Sequence, residues 1–200
     1  MNRIFNAQLF GPLVAMILVA VVVASTTDRF LTTGNLSNLS LQVSIVALIA
    51  IGATIVIIGA GIDLSSGSMV ALLTMLLAEM VKFLHVPLPL ALLLVLGFGA
   101  LLGLTIGVIS AYGRIPSFIT TLAALIALRG VALTFNNGSP IFSLDPMLEP
   151  VFYGRMLGIP LPFFYVLGFF SLATIMMNFT RLGREIYAVG GNPAAAALSG

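Results

Sequence analysis

The 200-residue chain has no cysteine, no tryptophan and one histidine, and it carries only eight basic and six acidic residues. Without cysteine it forms neither disulfides nor thiolate metal sites. His85 stands alone in a proline-flanked loop, with no second histidine beside it. It is therefore a poor metal ligand or general base, and it reads as a solvated loop residue. Charged residues make up 7% of the chain, against roughly 25% in soluble domains. That is too few to cover the surface of a soluble domain this long. The isoelectric point of 9.4 reflects a net charge of only +2, and no lysine–arginine cluster offers a nucleic-acid footprint. H-E-x-x-H, G-x-S-x-G and the P-loop G-x-x-x-x-G-K-[ST] are all missing. Catalytic residues, metal ligands and cofactors are accordingly not expected, and any ATP-driven role needs a separate subunit.

What the chain does have is apolar length. It is 60% hydrophobic, and 4–27, 31–62, 88–113 and 156–180 contain no Asp, Glu, Lys or Arg. A transmembrane helix needs about 20 mostly apolar residues. Six membrane segments are expected, at Leu9–Ser25, Leu41–Ala60, Ser68–Leu84, Leu88–Ala111, Phe118–Phe135 and Pro162–Phe179. They are continuously apolar rather than alternating, which favours helices over barrel strands. The first resembles a signal peptide, but further apolar segments follow it, so it reads as a membrane helix.

The basic residues give a weak orientation. With the N-terminus inside, Arg3, Arg114, Arg181 and Arg184 are cytoplasmic, and Arg29, Lys82 and Arg155 lie outside. The longest loop, Asn136–Pro160, contains four prolines, including Pro146, and faces outward in this arrangement. The chain closes on Leu198-Ser199-Gly200 without a further helix, so it is expected to be truncated at its C-terminus.

The most unusual stretch is Gly59-Ala60-Gly61-Ile62-Asp63-Leu64-Ser65-Ser66-Gly67-Ser68. Two apolar runs are broken here by glycines, an acid and serines. One reading is a broken helix with Asp63, Ser65 and Ser66 lining a polar path, since ionisable groups at membrane depth are functional by default. The other is a tight surface turn with Asp63 or Ser65 capping the next helix. The two are compatible. Arg129 lies within snorkelling reach of the outer interface. Glu79 and Lys82, three apart, are placed to pair on the surface. Gly99, Gly103 and Gly107, widened by Gly97, form a small-residue face suited to close helix packing, within the chain or between protomers. Tyr112 and Tyr165 take the interfacial aromatic role. After the last segment, 180–200 reads as two short helices meeting at Gly190-Gly191-Asn192, with Pro193 suited to a first helical turn.

Four motifs are familiar together. Val56 through Ser68 resembles the G-G-I-D-L-S-V-G-S signature of permease subunits of bacterial sugar ABC importers. Leu128-Arg129-Gly130-Val131 is similar to their L-R-G-V, and Asn137-Gly138-Ser139-Pro140 to the N-G-S-P of ribose-type members. Thr180 through Asn192, with Leu198-Ser199-Gly200, resembles their cytoplasmic T-R-x-G-R-x-I-Y-A-x-G-G-N…L-S-G segment. Ala60 and Ser66 replace the usual glycine and valine around Asp63.

The resemblance implies an all-α polytopic transmembrane permease: one domain over 1–200, six helices present of about ten expected. It implies residence in the inner membrane with a cytoplasmic N-terminus and the lipid bilayer as solvent. The expected partners are an ABC ATPase subunit, a periplasmic sugar-binding protein and a second permease protomer, identical or paralogous. The cargo would be a monosaccharide such as ribose. Asp63, Ser65, Ser66 and Asn137 are the candidates for the substrate pathway. Arg181, Gly183, Arg184, Glu185, Gly190, Gly191 and Asn192 correspond to the region that couples to the ATPase. The rival readings are an ion-coupled secondary transporter using Asp63, and a structural membrane subunit with no transport role.

Overall fold

The structure is a computed structural model that describes residues 7–142 and 148–198. Arg3, Pro146, Ser199 and Gly200 lie outside the described residues. The chain forms two compact units, Met1–Val43 and Ser44–Gly200. In chain order the helices are α1 (Ala7–Thr26), α2 (Thr33–Ile58), α3 (Ser66–Lys82), α4 (Leu88–Gly113) and α5 (Ser117–Thr134), followed by a 3-10 turn at Phe135–Gly138. Then come α6 (Leu148–Tyr153), strands β1 (Arg155–Met156) and β2 (Ile159–Pro160), and helices α7 (Leu161–Phe179), α8 (Arg181–Gly191) and α9 (Pro193–Leu198).

Four of these helical stretches, Thr33–Ile58, Leu88–Gly113, Ser117–Gly138 and Leu161–Phe179, are long and apolar enough to cross a membrane. The other two expected segments fall short of that measure. The described apolar part of α1 is Phe10–Thr26. The 17 residues of α3 reach about 25 Å, the short end of a span.

Proline and left-handed residues set the helix ends. Pro87, Pro116 and Pro160 sit immediately before α4, α5 and α7 in extended conformation, with ψ between 132° and 135°. A proline there loses no hydrogen bond, because the first turn has no intrahelical acceptor for its nitrogen. Ala60, His85, Arg114 and Asn136 turn the chain out of α2, α3, α4 and α5 with φ between 46° and 60°. At α2 this is a full Schellman closure. The Gly61 amide donates to Val56 O and the Ala60 amide to Ile57 O, each at 2.9 Å.

Within Ser44–Gly200, α3, α4 and α5 form the packed centre. Leu72, Leu128 and Ala132 are buried together, flanked by Met69, Leu102, Ile106 and Ala124. Helices α3 and α5 run parallel. At one end the Ile62 amide donates to Ser117 Oγ at 3.0 Å. At the other, the Lys82 ammonium donates to the Phe142 carbonyl. Lys82 thus fastens the end of α3 to the chain beyond α5, and no Glu79–Lys82 ion pair forms. Gly99 explains the close approach of α4 to α3, since a β-carbon there would meet Leu73 Cδ1 at 2.7 Å. Gly97, Gly103 and Gly107 face open space, so within this chain the four-residue glycine repeat is not a continuous packing seam. Most other large apolar side chains point outward, among them Leu93, Leu96, Phe169 and Leu172. A bilayer solvates such faces at no cost.

The described part of the loop between α5 and α7 holds regular structure despite its prolines. Helix α6 leads into a two-stranded ribbon, with Arg155 opposite Pro160 and Met156 opposite Ile159. Leu157 and Gly158 make the turn, both at positive φ, as a two-residue hairpin requires. The otherwise all-α expectation therefore acquires this one minimal ribbon.

Candidate functional site

The break between α2 and α3 is a compact knot of hydrogen bonds. Asp63 Oδ1 accepts from the Ser65 amide at 2.8 Å and from Ser65 Oγ at 2.6 Å. Asp63 therefore closes the turn that leads into α3, while Ser65, which occupies the cap position, makes no side-chain cap of its own. Ser65 is buried to 2% exposure, and Asp63 is half-buried. Asp63 Oδ2 has no hydrogen-bond partner among the described residues. Both backbone groups of Ile62 are taken by α5. Its amide donates to Ser117 Oγ, and its carbonyl accepts from Thr121 Oγ1 at 3.1 Å.

These residues border a cavity of about 350 Å³ whose polar lining is Asp63, Ser65, Ser110, Ser117, Thr120 and Thr121. Gly103 and Gly107 form part of the opposite wall, which accounts for their having no neighbour of their own. Ser66, the first residue of α3, does not line this cavity. Asn137 is exposed at the far end of α5 with φ 52°, about 27 Å along an 18-residue helix. The four expected pathway residues thus divide: Asp63 and Ser65 share a cavity, Ser66 stands beside it, and Asn137 is at the opposite end. Arg129 is exposed on α5. The α5 hydroxyls escaped the sequence reading, although the polar Ser117-Phe118-Ile119-Thr120-Thr121 opening directly after Pro116 was the available signal.

The second candidate region is α8 with α9. Thr180 makes the elbow between α7 and α8, its hydroxyl donating to Met176 O at 2.6 Å and accepting from the Gly183 amide at 3.3 Å. Asn192 breaks the helix in an extended conformation, and its Oδ1 accepts from the Ala195 amide at 3.1 Å at the start of α9. Arg181 pairs with Glu185 at 2.7 Å one turn along α8. Arg181, Arg184, Glu185 and Asn192 line an open groove of about 950 Å³ between α8 and α9.

Gly183 and Gly190 lie on a different face. A β-carbon at Gly183 would fall on the Met177 carbonyl, and one at Gly190 on the Ile58 carbonyl. Those two glycines are turned into the chain, whereas Gly191 has open space around it. Because Ile186 packs against Gly59, α8 sits at the same end of the bundle as the Asp63 turn.

Residues 35–200 match the family described as branched-chain amino acid transport system / permease component. The chain is 41% identical over 192 residues to the ribose import permease protein RbsC of Escherichia coli (strain K12), covering 94% of this chain and 60% of that protein. It is 37% identical over 195 residues to RbsC of Bacillus subtilis (strain 168), covering 96% and 60% respectively. To the galactose/methyl galactoside import permease protein MglC of Salmonella typhimurium (strain LT2) it is 32% identical over 208 residues, covering 95% and 62%. The chain thus spans about 60% of the length of these relatives. No solved structure matches it. With its long apolar helices, the chain is a multi-pass membrane protein, and it belongs to the branched-chain amino acid transport system / permease component family.

Proposed function

We propose that this chain is the membrane-spanning part of an inner-membrane importer that passes a monosaccharide, ribose or a similar sugar, from a periplasmic binding protein to the cytoplasm. The observation that carries this reading is its similarity, over 94% of its length, to a protein named as a ribose import permease. ATP hydrolysis belongs to a separate ABC ATPase, because this chain has no phosphate-binding loop. A second permease protomer completes the pathway, and the N-terminus is cytoplasmic.

The chemistry of the two sites is compatible with this role. A neutral sugar needs hydroxyl and amide partners rather than a charge. Ser65, Thr120 and Thr121 supply hydroxyls around one cavity that Asp63 also borders, and Ser66 and Asn137 extend the pathway beyond it. Arg181, Arg184, Glu185 and Asn192 offer charge and amide groups along a groove wide enough for a partner's surface. In the transport cycle, the binding protein docks on the outward face that carries α6 and the hairpin. Closure of the ATPase pair displaces α8, and the helices open inward.

The test uses the full-length chain, purified with its ATPase and binding protein. ATP hydrolysis is measured with the binding protein and a panel of monosaccharides. Stimulation by one sugar supports the reading and names the cargo. The absence of stimulation by any sugar in an intact complex contradicts it.

A further inference from the structure

The inward stripe of α8 is Gly183, Ile186 and Gly190, at helical spacings of three and four. These are the positions on the helix that are buried or half-buried, the rest being exposed. Two of the three lack a side chain, and at both the helix lands on main chain rather than on side chains. At Gly183 it meets Met177 at the end of α7, and at Gly190 it meets Ile58 at the end of α2. Between them, Ile186 Cγ2 lies 3.7 Å from where a β-carbon of Gly59 would stand. The α2 surface under this seat, Ile55, Val56 and Gly59, is the last turn before the Schellman closure. Asp63 follows Gly59 by four residues.

Contacts between side chains can slide by changing rotamers, but a helix backbone resting on a carbonyl has no such freedom. From Ile58 to Asp63 the chain is held at each step. The Gly61 amide is bonded to Val56 O, Ile62 is bonded on both sides to α5, and Asp63 is bonded to Ser65.

We infer that Gly190 is a positioning residue that makes α8, the end of α2 and the Asp63 turn a single moving body. A displacement of α8 is then delivered directly to the wall of the Asp63 cavity. This rests on the importer reading above and adds to it the route by which a push on α8 reaches the pathway. It also gives the glycines of the segment different roles, since Gly183 and Gly190 seat the lever and Gly191 does not.

The test has two arms, both in the full-length chain assembled with its ATPase and binding protein in proteoliposomes. In the first, Gly190→Ala lifts α8 from the Ile58 carbonyl, whereas Gly168→Ala, facing open space on α7, is the control. The expected result is at least a fivefold fall in sugar imported per ATP hydrolysed for Gly190→Ala and no change for Gly168→Ala. A wild-type ratio in Gly190→Ala overturns the inference.

The second arm covers the case in which Gly190→Ala does not assemble. Gly59→Cys with Ile186→Cys, in a cysteine-free background, puts thiols at two positions in contact, since Ile186 Cγ2 lies 3.7 Å from where a Gly59 β-carbon would stand. Oxidation should cross-link them in high yield whether or not the importer reading holds. The bridged complex should then import within twofold of its reduced form, because the two elements already move together. Failure to cross-link overturns the seat itself. Import that is lost on oxidation and restored on reduction shows α8 sliding on α2, and that also overturns the inference. Failure of the importer reading is seen separately, as a wild-type complex that no sugar stimulates.

Discussion

The Thr121 hydroxyl of α5 shares its one proton between the Ile62 carbonyl at 3.1 Å and the Ser117 carbonyl at 2.7 Å, fastening the start of one helix to the break between two others. Thr121 is 5% exposed, so removing its hydroxyl leaves the Ile62 carbonyl short of a partner where water is scarce. Thr121→Val should cost the purified protein about 1–2 kcal/mol, read as a lower unfolding midpoint. Thr121→Ser, which keeps the hydroxyl, should lie close to wild type. Equal midpoints for all three would show that the bond contributes nothing.

Asp63 separates the readings of this protein through two substitutions. Asp63→Asn keeps Oδ1 as the acceptor for Ser65, whereas Asp63→Ala removes it. If the cargo is a neutral sugar, the asparagine variant should retain most of its uptake. The alanine variant should lose about tenfold, the equivalent of one hydrogen bond in the transport barrier. An ion-coupled transporter needs a carboxylate that titrates, so abolished uptake in Asp63→Asn would favour that mechanism.

Ala60 holds the left-handed closing position of α2 at φ 60°, where a β-carbon crowds the following carbonyl and glycine is the usual occupant. Ala60→Gly should therefore stabilise the protein by about 1 kcal/mol, less the added flexibility of its unfolded chain. Thermal unfolding in detergent measures this, and a lowered midpoint would contradict it.

Along the outer face of α8, Arg181 and Glu185 are 81% and 50% exposed, so their pair contributes little to folding. Arg181→Ala should leave the unfolding midpoint in place. Arg184→Glu should likewise fold, but should weaken assembly with the ATPase and reduce sugar-stimulated hydrolysis at least fivefold. The measurement is co-purification followed by a hydrolysis assay, and wild-type behaviour in both would remove Arg184 from the coupling surface.

Parts of this architecture are plain in the sequence and parts are hidden, for physical reasons. The starts of α4, α5 and α7 are legible because a proline stands before each and an uncharged run follows. The start of α2 is not, because hydropathy places it at Leu41 and the helix begins at Thr33. In the polar stretch ahead of Leu41, the Ser37 and Ser40 hydroxyls bond back to the Thr33 and Ser37 carbonyls, each at 2.8 Å, so the helix runs on through polar residues. Hydropathy reports what surrounds a residue, not whether its backbone is helical.

The site divides in the same way. Asp63 stands out as an acid between apolar runs, but Thr120 and Thr121 look like ordinary members of an apolar helix until α5 is laid beside the turn. The Lys82–Phe142 contact joins positions 60 residues apart, and no local spacing rule reaches that far. The glycines of α8 are visible as a motif. Which of them faces α2 depends on how the helix lands, and that comes only from the three-dimensional arrangement.

Transport driven by a partner's ATP hydrolysis is the central claim. The most direct measurement is uptake of labelled ribose into proteoliposomes holding the full-length chain, its ATPase and its binding protein, with ATP at the cytoplasmic face and an ionophore present. Uptake that requires ATP and is unaffected by the ionophore is the predicted result. Uptake that proceeds without ATP and collapses with the ionophore would contradict the claim.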